Sequence, residues 1–233
     1  MKEILKELFN KYKIGYSLEQ LQKLEQFYEI VVEENKKFNL TAITEKNDFC
    51  IKHILDCAIP GVLLPQNSKV IDVGAGAGFP SVVLKILRPD LNITMLDSLN
   101  KRVNFLNDTV NKLQLQCIMA HHDRAEDYAI KHREEYDVAI ARAVAGLDTL
   151  SEYCIPFVKV GGLFIAMKGS AYKEELDQAK NAIEVLGGVL QEVKLTTIDE
   201  IQSERANIVI KKAKLTPTKY PRGKNLPRLK PIQ

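Results

Sequence analysis

A short apolar strand that runs straight into three alternating glycines constrains this chain more than any other feature: Lys69-Val-Ile-Asp-Val-Gly-Ala-Gly-Ala-Gly-Phe-Pro80. Val70, Ile71 and Val73 read as a buried strand. Gly74, Gly76 and Gly78 permit a tight turn and a close backbone approach that a Cβ would block. This is the layout of a loop that cradles a nucleotide-type cofactor. A dinucleotide fingerprint, G-x-G-x-x-G, requires glycine at position 79, where this chain has Phe79, so a nicotinamide oxidoreductase is only a minor alternative.

The loop sits in a pattern that supports the same reading. Segments 70–73, 92–96, 117–120, 138–140 and 163–167 are short and apolar, and helical patterns fill most of the intervals, at 81–87, 101–113 and 147–157. Such alternation predicts a mostly parallel sheet with right-handed crossovers and helices on both faces. Segments 189–197 and 206–211 are joined by polar residues and predict a terminal antiparallel hairpin. Upstream, the start of the chain is amphipathic, and Leu18, Leu21, Leu24, Tyr28 and Val31 recur at helical spacing, predicting a helix over 18–36 after a turn containing Gly15. Residues 1–66 are therefore expected to form a helical cap, 67–212 the main α/β domain and 213–233 a tail.

Charge divides the chain unevenly. Of 33 Lys and Arg, eight lie in residues 211–233 among four prolines and no acid; the other 25 face 30 acids and leave residues 1–210 at −5. That tail suits a strap on phosphates, and composition leaves a solvated tail equally open. Cys50, Cys57, Cys117 and Cys154 form no C-x-x-C pair, so neither a zinc site nor a disulfide framework is expected. The amphipathic start carries acids among its bases, unlike a leader peptide, and no apolar run reaches membrane-spanning length; a cytoplasmic protein is expected.

In an open α/β sheet the ligand lies beyond the carboxyl ends of the strands. The second strand ends in Asp97, 19 residues past Gly78, where a carboxylate can accept both hydroxyls of a ribose; a helix N-cap is its bland alternative. After the third strand, Asp123 and Glu126 are candidates for the edge of an adenine. His121-His-Asp123 suggests a metal only weakly, because adjacent histidines diverge and no further ligand is near. The fourth strand ends at Arg142, for which a surface or ion-paired role is the alternative, and the fifth at Lys168.

Asp72-x-Gly-x-Gly-x-Gly resembles the S-adenosylmethionine loop of Rossmann-like class I methyltransferases, in which a carboxylate beside the loop can serve the cationic methionine end. A wider set of matches resembles the bacterial RsmG (GidB) family of 16S rRNA guanine-N7 methyltransferases. It comprises Asn39-Leu-Thr-Ala-Ile43, His53-Ile-Leu-Asp56, Asp72 to Pro80, Leu96 to Arg102 with Phe105-Leu106, Arg124-Ala-Glu126, Ala141-Arg-Ala143, Lys168-Gly169 and Lys219-Tyr-Pro-Arg222. The glycine loop alone indicates only the superfamily; the order and spacing of the set point to the family. One departure is Gly223-Lys-Asn-Leu-Pro227, where the family tail often has additional glycine and proline.

The resemblance implies S-adenosylmethionine contacts at Gly74, Phe79, Ala125, Glu126 and Arg142, with Asp97 at the ribose from the wider fold. It implies a seven-stranded sheet and a substrate in the 530 loop of 16S rRNA, met as free RNA or in a small-subunit assembly intermediate. Asn39, His53, Lys168, Tyr220 and Arg222 are the candidates for the RNA side, Tyr220 by stacking and the cations through phosphates; His53 can equally be a structural histidine. Guanine N7 has a lone pair and no proton, so no catalytic base is sought, and no metal. No Asn-Pro-Pro-Tyr motif follows the fourth strand, and no Pro-Cys nucleophile is present. A monomer is favoured. The remaining alternatives are a non-catalytic rRNA-binding assembly factor, and a methyltransferase for a small molecule or a protein, which the basic tail disfavours.

Overall fold

The computed structural model describes residues 1–232. Seven strands form one sheet: β1 (Lys69–Val73), β2 (Asn92–Asp97), β3 (Ile118–His122), β4 (Tyr136–Arg142), β5 (Val158–Lys168), β6 (Gly188–Ile198) and β7 (Ser203–Lys212). Their order is β3-β2-β1-β4-β5-β7-β6. β1 to β5 pair in parallel, and β7 inserts antiparallel between β5 and β6. The order reverses where β1 lies between β2 and β4, so the crevice for a ligand opens above the end of β1. A 3₁₀ turn (Asp199–Ile201) joins β6 to β7 where the sequence is polar.

Alternation along β1 sends Val70 into one hydrophobic cluster and its neighbours Ile71 and Val73 into the other, as a pleated strand with two covered faces requires. The Val70 face packs under α5 (Ser81–Leu87), α6 (Asn100–Lys112) and the chain that precedes β1. That chain begins with α1 (Lys2–Lys11) and α2 (Leu18–Asn35), the latter opened by a capping box in which Ser17 and Gln20 bond each other's backbone. It continues as one helical run: α3 (Lys46–Phe49), a π-helical stretch (Cys50–Leu55), α4 (Asp56–Ala58) and a 3₁₀ turn (Ile59–Leu63). The run carries on through Pro60-Gly61, because proline fits the first turn of a helical piece.

The opposite face packs under α7 (Ala125–Lys131), α8 (Leu147–Cys154) and α9 (Tyr172–Val185). The sequence reading delineated neither α7 nor α9, although Tyr172, Leu176, Ala179 and Ile183 repeat at helical spacing. After β7 the chain does not leave the domain. Arg133 donates to the carbonyls of Thr216, Pro217 and Tyr220, which bends residues 216–220 onto the α7–β4 connection. A short α10 (Leu226–Leu229) then packs on α8.

Candidate functional site

The glycine loop is held from below and open above. The amides of Gly74 and Ala75 donate to the Leu96 carbonyl at 2.8 and 3.1 Å, tying the end of β1 to the end of β2. Gly74, Gly76 and Gly78 have φ of +79°, +58° and +93°, so each occupies the left-handed region. A Cβ on Gly74 would stand 2.6 Å from Val144 Cγ2, and one on Gly78 2.7 Å from Val82 Cγ2. At Gly76 the nearest atom would be 3.8 Å away, because that residue faces a cavity.

This cavity, of about 540 Å³, collects the ends of β1, β2, β3 and β4 together with Leu40, Thr41 and His53 from the segment before β1 and Asn225 and Arg228 from the tail. Its size lies within the range of roughly 300–1,000 Å³ typical of small-molecule sites. At one end Asp97 ties two turns together. Its Oδ2 accepts from the Gly76 amide at 2.9 Å and its Oδ1 from the Leu99 amide at 2.9 Å, fixing the loop and the entry to α6 while it faces the cavity. Arg102 Nη1 lies 3.7 Å away. Glu126 is buried and accepts from Arg124 Nε at 2.8 Å and from the Asn225 amide at 3.3 Å.

At the other end Arg142 is ion-paired rather than free. Its Nη1 donates to Asp56 Oδ2 at 3.1 Å and to the Lys52 carbonyl at 3.2 Å, and its Nη2 faces His53 Nδ1 at 3.2 Å. Asp56 also holds Arg205 Nε at 3.1 Å. His53 stacks on Phe79 with centroids 4.3 Å apart, and the Phe49 edge closes that pair. Burial, then the Arg142 charge, push the His53 imidazole down to about 3, so the ring is neutral. Beyond Arg142, Ala143 takes a φ of +55°, an uncommon conformation for a side-chain-bearing residue, and turns the chain over the glycine loop.

Of the residues singled out in the sequence, Gly74, Phe79, Asp97, Asp123, Ala125, Glu126, Arg142 and His53 meet in this cavity. Several others do not. Asp72 is fully buried beneath the loop, where its Oδ2 accepts from Ser81 Oγ at 2.6 Å and its Oδ1 has no partner. Burial pushes that carboxyl up to about 7, so it is a poor counter-charge for a ligand it does not touch. Lys168 is buried against Glu175 at 2.6 Å and the Ala145 carbonyl at 2.7 Å, and holds the loop after β4 rather than RNA. Tyr220 lies in the core with no exposed ring to stack. Arg222 closes a fork on the buried Glu152 at 2.6 and 2.9 Å. Asn39 is exposed and lies outside the cavity wall, whose contributors from this turn are Leu40 and Thr41. Sequence reasoning missed Thr41, Arg102, Tyr153, Asn225 and Arg228. Only Thr41 and Arg102 had a local signal, as members of quoted motifs.

The family described as rRNA small subunit methyltransferase G (GidB) matches residues 20–205. The chain belongs to that family. A ribosomal RNA small subunit methyltransferase G of Bacillus cytotoxicus is 49% identical over 224 residues, covering 94% of both chains. One of Desulforamulus reducens is 48% identical over 212 residues, covering 89% of this chain and 88% of its own. Among solved structures, M. jannaschii TYW2 in complex with AdoMet superposes with a TM-score of 0.57 at 14% identity, over 69% of this chain and 76% of that one. The precorrin-6y C5,15-methyltransferase of Geobacter metallireducens gives 0.51 at 14%, over 75% and 92%.

This RsmG-family chain is thus an enzyme with the class I methyltransferase fold, and its structural neighbour TYW2 holds AdoMet, that is S-adenosylmethionine. The cavity fits that molecule in three respects. The open face of Gly76 admits a ligand where any side chain would stand. Buried carboxylates at Asp97 and Glu126 offer acceptors to hydroxyl and amino groups. At the far end Asp56 offsets the charge of Arg142, so a cationic sulfur brought near is not repelled by an unpaired guanidinium.

Proposed function

We propose that this protein transfers a methyl group from S-adenosylmethionine to N7 of a guanine in 16S rRNA, in the 530 loop, as free RNA or in a small-subunit assembly intermediate. Asp97 holds the ribose hydroxyls, Ala125 and Glu126 the adenine, Gly74 and Phe79 the middle of the molecule, and Arg142 borders the methyl-transfer end. The cofactor supplies an electrophilic methyl on a positively charged sulfur.

One observation carries the choice of nucleophile. The Arg142 end of the cavity offers no free base: Ala143, Val144 and Ala145 are apolar, Asp56 lies behind Arg142, and His53 has Nδ1 occupied by that arginine. A nitrogen with a lone pair and no proton to lose suits such a site, and the residues need only align it and tolerate charge moving onto the base. Guanine N7 lies in the deep, narrow groove of A-form RNA, so the target must be exposed in a loop or an unfinished particle.

Residues 1–66 act as the cap on the substrate side, 67–212 as the transfer domain and 213–233 as the tail. The phosphate contacts fall to cations that are still exposed, Lys219, Lys224, Arg228 and Lys230, in place of Lys168 and Arg222. The protein works as a monomer in the cytoplasm. No helix among the described residues is long and apolar enough to cross a membrane.

Incubation with methyl-labelled S-adenosylmethionine and small-subunit RNA, free or partly assembled, followed by digestion to nucleosides, tests this. The label should appear as 7-methylguanosine. Label in another nucleoside, or none with any such RNA, contradicts it.

A further inference from the structure

Where the segment before β1 meets the end of β4, a line of side chains fixes the direction of every hydrogen in it. Asp56 anchors Arg142 Nη1, and Arg142 Nη2 stands 3.2 Å from His53 Nδ1. A guanidinium has donors and no acceptor, so Nδ1 accepts and the neutral ring carries its hydrogen on Nε2. That nitrogen lies 2.8 Å from Thr41 Oγ1 and donates to it. Thr41 Oγ1 accepts a second hydrogen bond from the Ile43 amide at 3.0 Å. Both lone pairs of the hydroxyl are then filled, and its own hydrogen is left for the cavity that Thr41 lines.

The relay is held in place at each step. Asn35 accepts from the Leu40 and Thr41 amides at 2.7 and 3.0 Å and donates to the Thr41 carbonyl at 3.0 Å, which pins the turn. Phe79 and Phe49 sandwich the imidazole face and edge.

We propose that Thr41 is a specificity-determining residue whose hydroxyl donates to O6 of the target guanine. The proposal rests on the guanine-N7 reading above. On the edge that carries N7, guanine presents the O6 acceptor where adenine presents an amino donor. A hydroxyl with a free lone pair would serve either purine, whereas one with both lone pairs filled serves only the acceptor. Adenine would leave two donors facing each other, the mismatch that a polar site rejects most strongly. His53 and Arg142 act on this choice through Thr41, as positioning residues.

The test compares small-subunit RNA bearing guanine at the methylated position with the same RNA bearing 2-aminopurine, which keeps N7 and has hydrogen in place of O6. Thr41→Val removes the hydroxyl at nearly constant shape, and Thr41→Ser retains it. On guanine RNA, Thr41→Val should lower kcat/KM by roughly 3- to 10-fold, the worth of one neutral hydrogen bond, and Thr41→Ser should recover most of it. On 2-aminopurine RNA the parent and Thr41→Val should be alike, and S-adenosylmethionine affinity by calorimetry should match in all three proteins. Equal losses on both RNAs, no loss on guanine RNA, or weakened cofactor binding by Thr41→Val each overturn the proposal. A parent enzyme that methylates no guanine N7 overturns the functional reading itself, and the proposal with it.

Discussion

Asp97 shows how one residue can serve fold and ligand together. Its two oxygens each take a loop amide, and the carboxylate still faces the cavity with acceptor capacity to spare. Asp97→Ala should weaken S-adenosylmethionine binding by about 10- to 100-fold in calorimetry, the range for hydrogen bonds to a charged group. Asp72, fully buried on an interior strand, has the opposite relation to stability. Its ordinary value is 3.8 and burial raises it to about 7 in the folded chain. Below about pH 4 folded and unfolded chains both hold the proton. Between about pH 4 and 7 the unfolded chain releases it while the folded chain keeps it, so this group's contribution to stability falls as pH rises through that window and levels off above it. Asp72→Asn removes the effect, and urea unfolding should show a smaller decline from pH 4 to pH 7 than in the parent.

The glycine loop and the tail are the two elements that shape the cavity, and they differ in how openly the sequence declares them. In the loop, Gly78→Ala forces a Cβ against Val82 at a positive φ and should destabilise the protein by about 1–3 kcal/mol in urea unfolding. Gly76→Ala places its Cβ at an ordinary 3.8 Å from the Gly74 carbonyl oxygen, so its loss should be smaller and should appear chiefly in cofactor affinity. The tail depends on Arg222 and Glu152, 70 residues apart in the chain. Arg222→Ala leaves Glu152 buried and unpaired, which costs about 3–5 kcal/mol for broken buried pairs in general. The freed tail should take Asn225 and Arg228 from the cavity wall and lower cofactor affinity. Local conformation made the loop legible, because alternating glycines after an apolar strand leave few other uses. The strand-end residues Asp97, Glu126 and Arg142 were legible for the same reason: in a parallel sheet, strand ends converge. Nothing local marks Arg222 as the partner of Glu152, or Tyr220 as a core residue; a basic, proline-rich composition reads as a solvated strap until the long-range partners are known. Lys168 and Asp72 were misread alike, since position at a strand end says nothing about which way burial will turn a charge.

For the whole molecule, the acidic body and basic end combine into a site in which the tail is part of the cofactor wall. Deleting residues 216–233 would therefore remove Asn225 and Arg228 as well as cations, and cannot isolate RNA contacts. Replacing only exposed Lys219, Lys224 and Lys230 by Gln does isolate them. Cofactor affinity should hold, and the slope of log affinity for RNA against log salt should flatten by about 2, at roughly 0.7 per single-strand phosphate contact. Fold, cavity and cap serve one proposed chemistry, N7 methylation of a single guanine in small-subunit rRNA. Its most direct test is N7-specific chemical cleavage of 16S rRNA from cells with and without this protein. One cleavage in the 530 loop should disappear when the protein is absent and return with the parent gene; identical cleavage patterns from both cells would overturn the N7 assignment.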